Sequence, residues 1–367
     1  MVVNEDKFFL SHRKEIGSAA LAAGWDVTIV AKDTGRRKEI EQLGLHFVNL
    51  PINPTGKNIF QELKVLRFLR RLYRQYPEAL VHHVGLKLLL WGNMALRKSP
   101  IGATVNAISG LGTLFTDSKK STIIRMMFKV LRYSQKDRKN IHYIFQNNED
   151  LEIFRNQGLL DSTTHSLIKG AGVNLDYFSY SPIINEGNVK IVFTGRMIKE
   201  KGVIDLVNAA EILRPKYEGR VEFIFSGALS SNPSALTERE IGKMMDGKYI
   251  KWINFQEDIR TLLVESTIFC LPSHREGFPK SIIEASAIGR PIVTFDSVGC
   301  RDTVVEGVNG FKVPIGDYKM LADRLDFLIS NPDVRDRMGK ESRKIAEKSY
   351  DIRDVISKHL EIYNNKS

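Results

Sequence analysis

Short apolar runs alternate with stretches of helical periodicity along the whole chain. In the first half the runs fall at residues 1–3, 26–31, 45–49, 80–84, 102–106 and 143–146. In the second half they fall at 190–193, 222–226, 250–254, 268–271, 291–295 and 311–313. Helical patterns fill the gaps, as at 202–213 and 279–289. Alternation of this kind predicts parallel sheets joined by right-handed helical crossovers. Two successive sets predict two doubly wound α/β domains. Open sheets of this class take ligands beyond the carboxyl ends of their strands, so the expected site is a cleft between the domains.

The stretch IKGAGVNLDYFSYSPIINEGN is rich in turn formers and precedes the first strand of the second set, which puts the boundary within 161–189. Domains of 1–165 and 166–350 follow. The last helical segment, 351–367, presents Ile352, Val355, Ile356, Leu360 and Tyr363 and is expected to pack back across the first domain. The first strand is short enough to read as an edge strand or a truncated start.

At 367 residues the chain exceeds one typical core, and its 43% hydrophobic and 26% charged residues describe an ordinary globular protein. Two cysteines, Cys270 and Cys300, argue against a disulfide scaffold and suit a reducing compartment. Neither CxxC nor HExxH occurs, which removes the usual zinc motifs. The amino-terminal segment lacks a signal-peptide core, and the longest apolar stretch, LKLLLWGNMAL at 86–96, is too short to span a bilayer. The expected location is cytoplasmic, peripheral at the inner face of the cell membrane. The net charge of +11 is uneven. Residues 1–165 carry 25 Lys and Arg against 15 Asp and Glu, while 166–367 carry 29 against 28. The first half should therefore favour an anionic surface or ligand.

Two segments carry candidate chemistry, each between an apolar strand and a helix. In GRMIKEKG, Gly195 permits a tight turn, Arg196 offers paired planar donors suited to phosphate, and Lys201 adds a compact charge. The helix that follows points its positive end at the same space. In LPSHREGFPKSIIEASAIG, Pro279 suits a first helical turn and the backbone from Gly277 through Phe278 to Lys280 could cradle a phosphate or a base edge. Glu276 and Glu284 are acceptor-only carboxylates whose lone pairs match vicinal hydroxyls. Cations for a diphosphate and carboxylates for hydroxyls together suit a nucleotide sugar. A solvated basic turn and an exposed helix glutamate would explain the same residues taken singly.

The order GRMIKEKG, EGFPKSIIEASAIGRPIV, GCRDTVVEGVNGFKVP resembles family 4 glycosyltransferases of GT-B fold, and GAGVNLDYF at 170–178 resembles the opening of their second domain. NEDKFFLSHR, HHVGLK and NAISGLGTLF resemble the bacterial surface-polysaccharide branch, which extends sugars on undecaprenyl diphosphate. The resemblance implies that Arg196 and Lys201 hold the donor diphosphate, Glu276 the donor sugar and Glu284 the ribose. It implies transfer with retention and a UDP-linked donor; the expected sugar is an N-acetylhexosamine such as GalNAc or GlcNAc. Many members carry a histidine where this chain reads Ala107-Ile108-Ser109-Gly110, so that role is not carried over and Ser109 becomes the candidate sugar contact. His82 and His83 follow as either ligand contacts or core histidines. No DxD occurs, so no metal cofactor is expected, and positive side chains and helix ends would stabilise the leaving diphosphate.

Two basic amphipathic segments suggest how an acceptor is met. In 59–76, Lys64, Arg67, Arg71 and Arg74 oppose Phe60, Leu63, Leu66, Leu69 and Tyr73, and packing of the apolar stripe into the core is preferred. In 118–136, Arg125, Lys129, Arg132 and Lys136 oppose Ile123, Ile124, Met127, Phe128 and Leu131, and contact with an anionic membrane or a lipid diphosphate is preferred. Expected partners are the nucleotide-sugar donor, a polyprenyl-diphosphate-linked sugar and an anionic membrane, with no nucleic acid. Three rivals stand beside this reading. A nucleotide-sugar epimerase would need no acceptor. A basic membrane or nucleic-acid scaffold would bind without transfer, although interleaved exposed aromatics are lacking. A glycoside hydrolase would not need the Arg/Lys clamp.

Overall fold

The computed structural model describes residues 1–366 apart from 54–57, 98, 113–120, 137, 139, 162, 231 and 233. The chain divides into two compact units, Met1–Ala171 with Ile352–Ser367, and Gly172–Asp351. Residues 166–171 belong to the first unit because Ile168 is buried in its core and its N–H donates to the Phe145 carbonyl.

In the first unit the strands are β1 (Val2–Glu5), β2 (Thr28–Lys32), β3 (His46–Asn49), β4 (Leu80–Val84), β5 (Ala103–Ile108), β6 (Ile141–Phe145) and β7 (Thr164–Leu167). They form one parallel sheet in the order β3-β2-β1-β4-β5-β6-β7. Every residue of β5 and β6 is buried, as expected for central parallel strands covered on both faces. β1 is central and pairs with β2 and β4, which overturns the edge-strand reading. Strand length was the misleading cue: Val2 and Val3 are both buried. β7 lies at the sheet edge and went unread, because THSL has one apolar residue and is mostly exposed. The helix Ile352–Asn364 packs on the helix Lys14–Ala22 within this unit. Ile352, Val355 and Tyr363 are buried there, with Ile356 and Leu360 partly so.

In the second unit the strands are β8 (Val189–Thr194), β9 (Val221–Ser226), β10 (Ile250–Trp252), β11 (Ile268–Leu271), β12 (Ile292–Phe295) and β13 (Gly310–Val313). The sheet is parallel in the order β10-β9-β8-β11-β12-β13. The strand order reverses between β8 and β11, the place where doubly wound sheets open toward a ligand. β10 ends before its expected bound, because Asn254 takes a left-handed backbone, φ 59°.

The two basic helices differ in what they bury. In Ile59–Gln75, Leu66, Leu69 and Tyr73 are buried, while Lys64, Arg67, Arg71 and Arg74 are exposed, as is Phe60. In Ser121–Gln135, Met127, Phe128 and Leu131 are buried, so these residues belong to the core. Ile123, Met126 and Tyr133 are exposed instead, alongside Arg125, Lys129 and Arg132. Residues 118–120 of the expected segment lie outside the described residues.

Candidate active site

The second unit assembles the candidate site at the carboxyl ends of β8, β11 and β12. Beyond β8 the chain turns at Gly195, and Met197 and Ile198 are buried anchors. They hold the loop in place through Met197 N–H to the Ala228 carbonyl, 3.0 Å. Burying such side chains is worth about 1.5–3 kcal/mol each, enough to fix a short loop. Arg196, between them and the strand, is exposed and makes no side-chain hydrogen bond or ion pair among the described residues. A 3-10 turn, Lys199–Lys201, then delivers Lys201.

Gly202 joins that turn to the helix Val203–Tyr217 and cannot be replaced cheaply. Its φ is +74°, and a Cβ there would lie 1.9 Å from the Pro272 carbonyl oxygen. The loops after β8 and β11 therefore run in direct backbone contact. The His274 N–H also donates to the Glu200 carbonyl, 2.9 Å. Gly299, in the loop after β12, is the counterpart on the other side: φ is +79°, and a Cβ would lie 2.5 Å from the Glu276 carbonyl oxygen.

Within this frame Lys201 Nζ contacts Glu276 Oε1, with both side chains mostly enclosed, 18% and 15% exposed. Glu276 Oε1 also accepts from Ser273 Oγ at 2.7 Å, and the Glu276 N–H donates to the Val298 carbonyl at 2.9 Å. The helix Lys280–Ile288 starts after Pro279 and ends at Gly289, φ +91°, a left-handed C-terminal cap. One turn in, Glu284 is 7% exposed and Lys280 Nζ lies 2.7 Å from its Oε1. Gly277, Phe278 and Pro279 are buried, and the Phe278 ring packs edge-on against Tyr350, 5.5 Å between centroids. Phe278 can therefore offer a ligand only its backbone.

Several neighbours of the site escaped sequence reading. Ser273 is one. His274 Nε2 lies 2.9 Å from Asp205 Oδ2, tying the β11 loop to the helix Val203–Tyr217. Burial pushes the Cys300 thiol up to about 12, with the Glu276 charge adding to it, so it stays protonated and unreactive. Cys270 is likewise a buried free thiol. The only signal for Ser273 and His274 was their place between β11 and Glu276. Asp205, the partner of His274, and Glu200, whose carbonyl Ser273 also meets, lie 69 and 73 residues upstream, beyond the reach of local pattern.

The first unit places its candidates differently. Ser109 is half-buried just beyond the carboxyl end of β5. His82 and His83 lie inside β4 and are buried. The His83 ring is held by Tyr73 Oη at 2.8 Å and Asn106 Oδ1 at 3.0 Å, and His82 Nδ1 by Tyr363 Oη at 2.7 Å. Burial drives His83 down to about 4 and His82 well below its ordinary range, so both rings are neutral. The acceptor-contact reading gives way to the core-histidine one because both side chains are buried, although His82 Nε2 has no hydrogen-bond partner among the described residues. Arg125, Lys129 and Arg132 are exposed on one helix, where Arg132 donates to the Gln157 carbonyl at 2.7 Å. Among the described residues no helix is long and apolar enough to cross a membrane.

Two family models match the chain: glycosyl transferase 4-like over residues 1–148 and glycosyl transferases group 1 over 179–345. A Campylobacter jejuni protein, N,N'-diacetylbacillosaminyl-diphospho-undecaprenol alpha-1,3-N-acetylgalactosaminyltransferase, is 24% identical over 354 residues, covering 92% of this chain and 91% of its own length. The Escherichia coli UDP-Gal:alpha-D-GlcNAc-diphosphoundecaprenol alpha-1,3-galactosyltransferase is 23% identical over 356 residues, covering 92% and 89%. The crystal structure of Anabaena HepE in complex with UDP and glucose superposes with a TM-score of 0.77 at 18% identity, covering 99% of this chain and 98% of that one. With both sheets, the strand order and both family models in agreement, the chain belongs to the group 1 and family 4-like glycosyltransferases of GT-B fold.

Proposed function

We propose that this glycosyltransferase moves a sugar, an N-acetylhexosamine, from a UDP-sugar to an undecaprenyl-diphosphate-linked sugar, with retention at the anomeric carbon. The observation that carries the reading is the contact of Lys201 with Glu276 at the β8–β11 switch point, a cation and a carboxylate brought together from loops 75 residues apart. Arg196 and Lys201 would bind the diphosphate, Glu276 the donor sugar and Glu284 the ribose. The activities of the two relatives supply the acceptor class, and the UDP in HepE supports the nucleotide.

In this reading the bond from C1 to the diphosphate oxygen breaks while an acceptor hydroxyl bonds C1 on the same face. The acceptor proton ends on the departing phosphate oxygen. Lys201 and Arg196 stabilise the charge that grows there, so no metal is required. The acceptor is met at the inner membrane face, where Arg125 and Lys129 flank exposed Ile123 and Met126. Cations beside an anionic bilayer contribute about 1 kcal/mol each.

A thermal-shift screen of UDP- and GDP-sugars tests the donor, since a ligand that binds only the folded state raises its stability. The hit is then incubated with undecaprenyl-diphosphate-linked sugar in the presence of a chelator. Transfer giving an anomer of unchanged configuration is expected. Conversion of the UDP-sugar without acceptor would point to an epimerase, and an inverted product would remove the retaining mechanism. Failure to bind anionic liposomes at low salt would remove the membrane contact.

A further inference from the structure

We propose that Ser273 is a positioning residue for Glu276, holding its carboxylate in the orientation that meets the donor sugar; the inference rests on the sugar-nucleotide reading of this site. Ser273 is fully buried just beyond the carboxyl end of β11. Its Oγ lies 2.7 Å from Glu276 Oε1, 3.1 Å from the Glu200 carbonyl and 3.4 Å from the Arg275 carbonyl. All three neighbours are acceptors, and a serine hydroxyl has one proton to give. The shortest contact is also the charged one, and a charge-assisted hydrogen bond is about twice as strong as a neutral one. In the unliganded protein the proton therefore goes to Glu276.

The serine is itself fixed. Its backbone carbonyl accepts from the buried Ser297 Oγ at 2.6 Å, and the next N–H, that of His274, donates to the Glu200 carbonyl at 2.9 Å. Lys201, the other partner of Oε1, ends a flexible four-carbon stem. The division of labour follows from that difference in stiffness. When a diphosphate draws Lys201 toward itself, Glu276 keeps one rigid hydrogen bond and stays aimed. Both contacts of the carboxylate fall on Oε1, which leaves Oε2 for a sugar hydroxyl. If Glu276 shifts during turnover, the Glu200 carbonyl offers the Ser273 proton a second acceptor, so the buried hydroxyl is never orphaned.

A double-mutant cycle on the full chain tests this, with Ser273→Ala, Glu276→Ala and the pair. Each variant is measured for transfer from the UDP-sugar and for binding of UDP alone. The unliganded Ser273→Ala protein is also crystallised. Ser273→Ala is expected to lower kcat about 10-fold, the loss of one hydrogen bond to a charged group, with UDP affinity within about twofold. It should cost nothing further on the Glu276→Ala background, and the crystal structure should show the Glu276 carboxylate rotated away. Ser273→Cys keeps the volume with only a weak donor and should give the same pattern if the alanine variant unfolds. Equal losses on both backgrounds, UDP affinity falling with kcat, or an unmoved Glu276 would overturn the proposal. A wild-type protein that binds no sugar nucleotide would instead strike the donor reading, and the unliganded structure would still judge the hold of Ser273 on Glu276.

Discussion

His82 with His83 and Lys201 with Glu276 are two sets of polar residues on two similar sheets, one in each unit, with opposite fates. The histidines sit inside β4, where side chains alternate between two covered faces; both nitrogens of His83 and Nδ1 of His82 bond within the core, to Tyr73, Asn106 and Tyr363, while His82 Nε2 is buried without a partner among the described residues. Lys201 and Glu276 sit past the ends of β8 and β11, where the chain has left the sheet and covering helices no longer enclose it. Both sets are largely shielded from water, yet the second keeps charged bonding capacity past the strand ends, at Glu276 Oε2 and the Lys201 ammonium, whereas the unpartnered His82 Nε2 is neutral and enclosed in the core. A few residues along a strand separate a packing residue from one that can meet a ligand.

The contrast breaks most visibly at the ion pair. Lys201→Ala and Glu276→Ala should each lower transfer about 100- to 1,000-fold, with thermal unfolding little changed because the pair lies past the strand ends, outside the hydrophobic core. A large fall in melting temperature would mean that the pair is a core element like the histidines. His83→Ala should do the reverse. It leaves Tyr73 Oη without its partner, takes one partner from Asn106, which keeps Asn93, and opens a cavity, costing about 3 kcal/mol by urea unfolding, while UDP binding by the second unit stays within twofold.

A pH titration of stability sharpens the same point. His83, at about 4, and His359, at about 3, lie below the ordinary 6.5 because burial disfavours their charged forms. Between 6.5 and those values the unfolded chain binds more protons than the native one. Stability should therefore fall with decreasing pH, by about 1.4 kcal/mol per pH unit for each histidine. His83→Asn should flatten that slope, and an unchanged slope would deny the ring its buried neutral state. The smallest effect is expected at Glu284→Gln, about a 10-fold rise in donor KM with kcat retained, the signature of a binding contact that is equal in ground and transition states.

Twelve of the strands announce themselves as apolar runs, because a strand buried on both faces has little choice of residue. β7 does not, since an exposed edge constrains THSL hardly at all. The place of β1 in its sheet was equally hidden, because length says nothing about which neighbours a strand finds. The exposed face of the helix Ser121–Gln135 was misassigned for a related reason: periodicity defines an apolar stripe, but neighbouring elements decide which part of it they cover. Met127 and Phe128 went inward and Met126 stayed out.

Alternating pattern, turn chemistry and the glycine positions were enough, from sequence alone, to determine two doubly wound domains and the loops that carry Arg196, Lys201, Glu276 and Glu284. These are local properties, governed by φ/ψ preference and by the period of burial. Tertiary structure alone decided which of those residues touch. The Lys201–Glu276 contact, the hold of Ser273 on both loops and the burial of His83 join residues far apart in the chain. Such contacts depend on how sheets and helices close over one another, which no local pattern encodes.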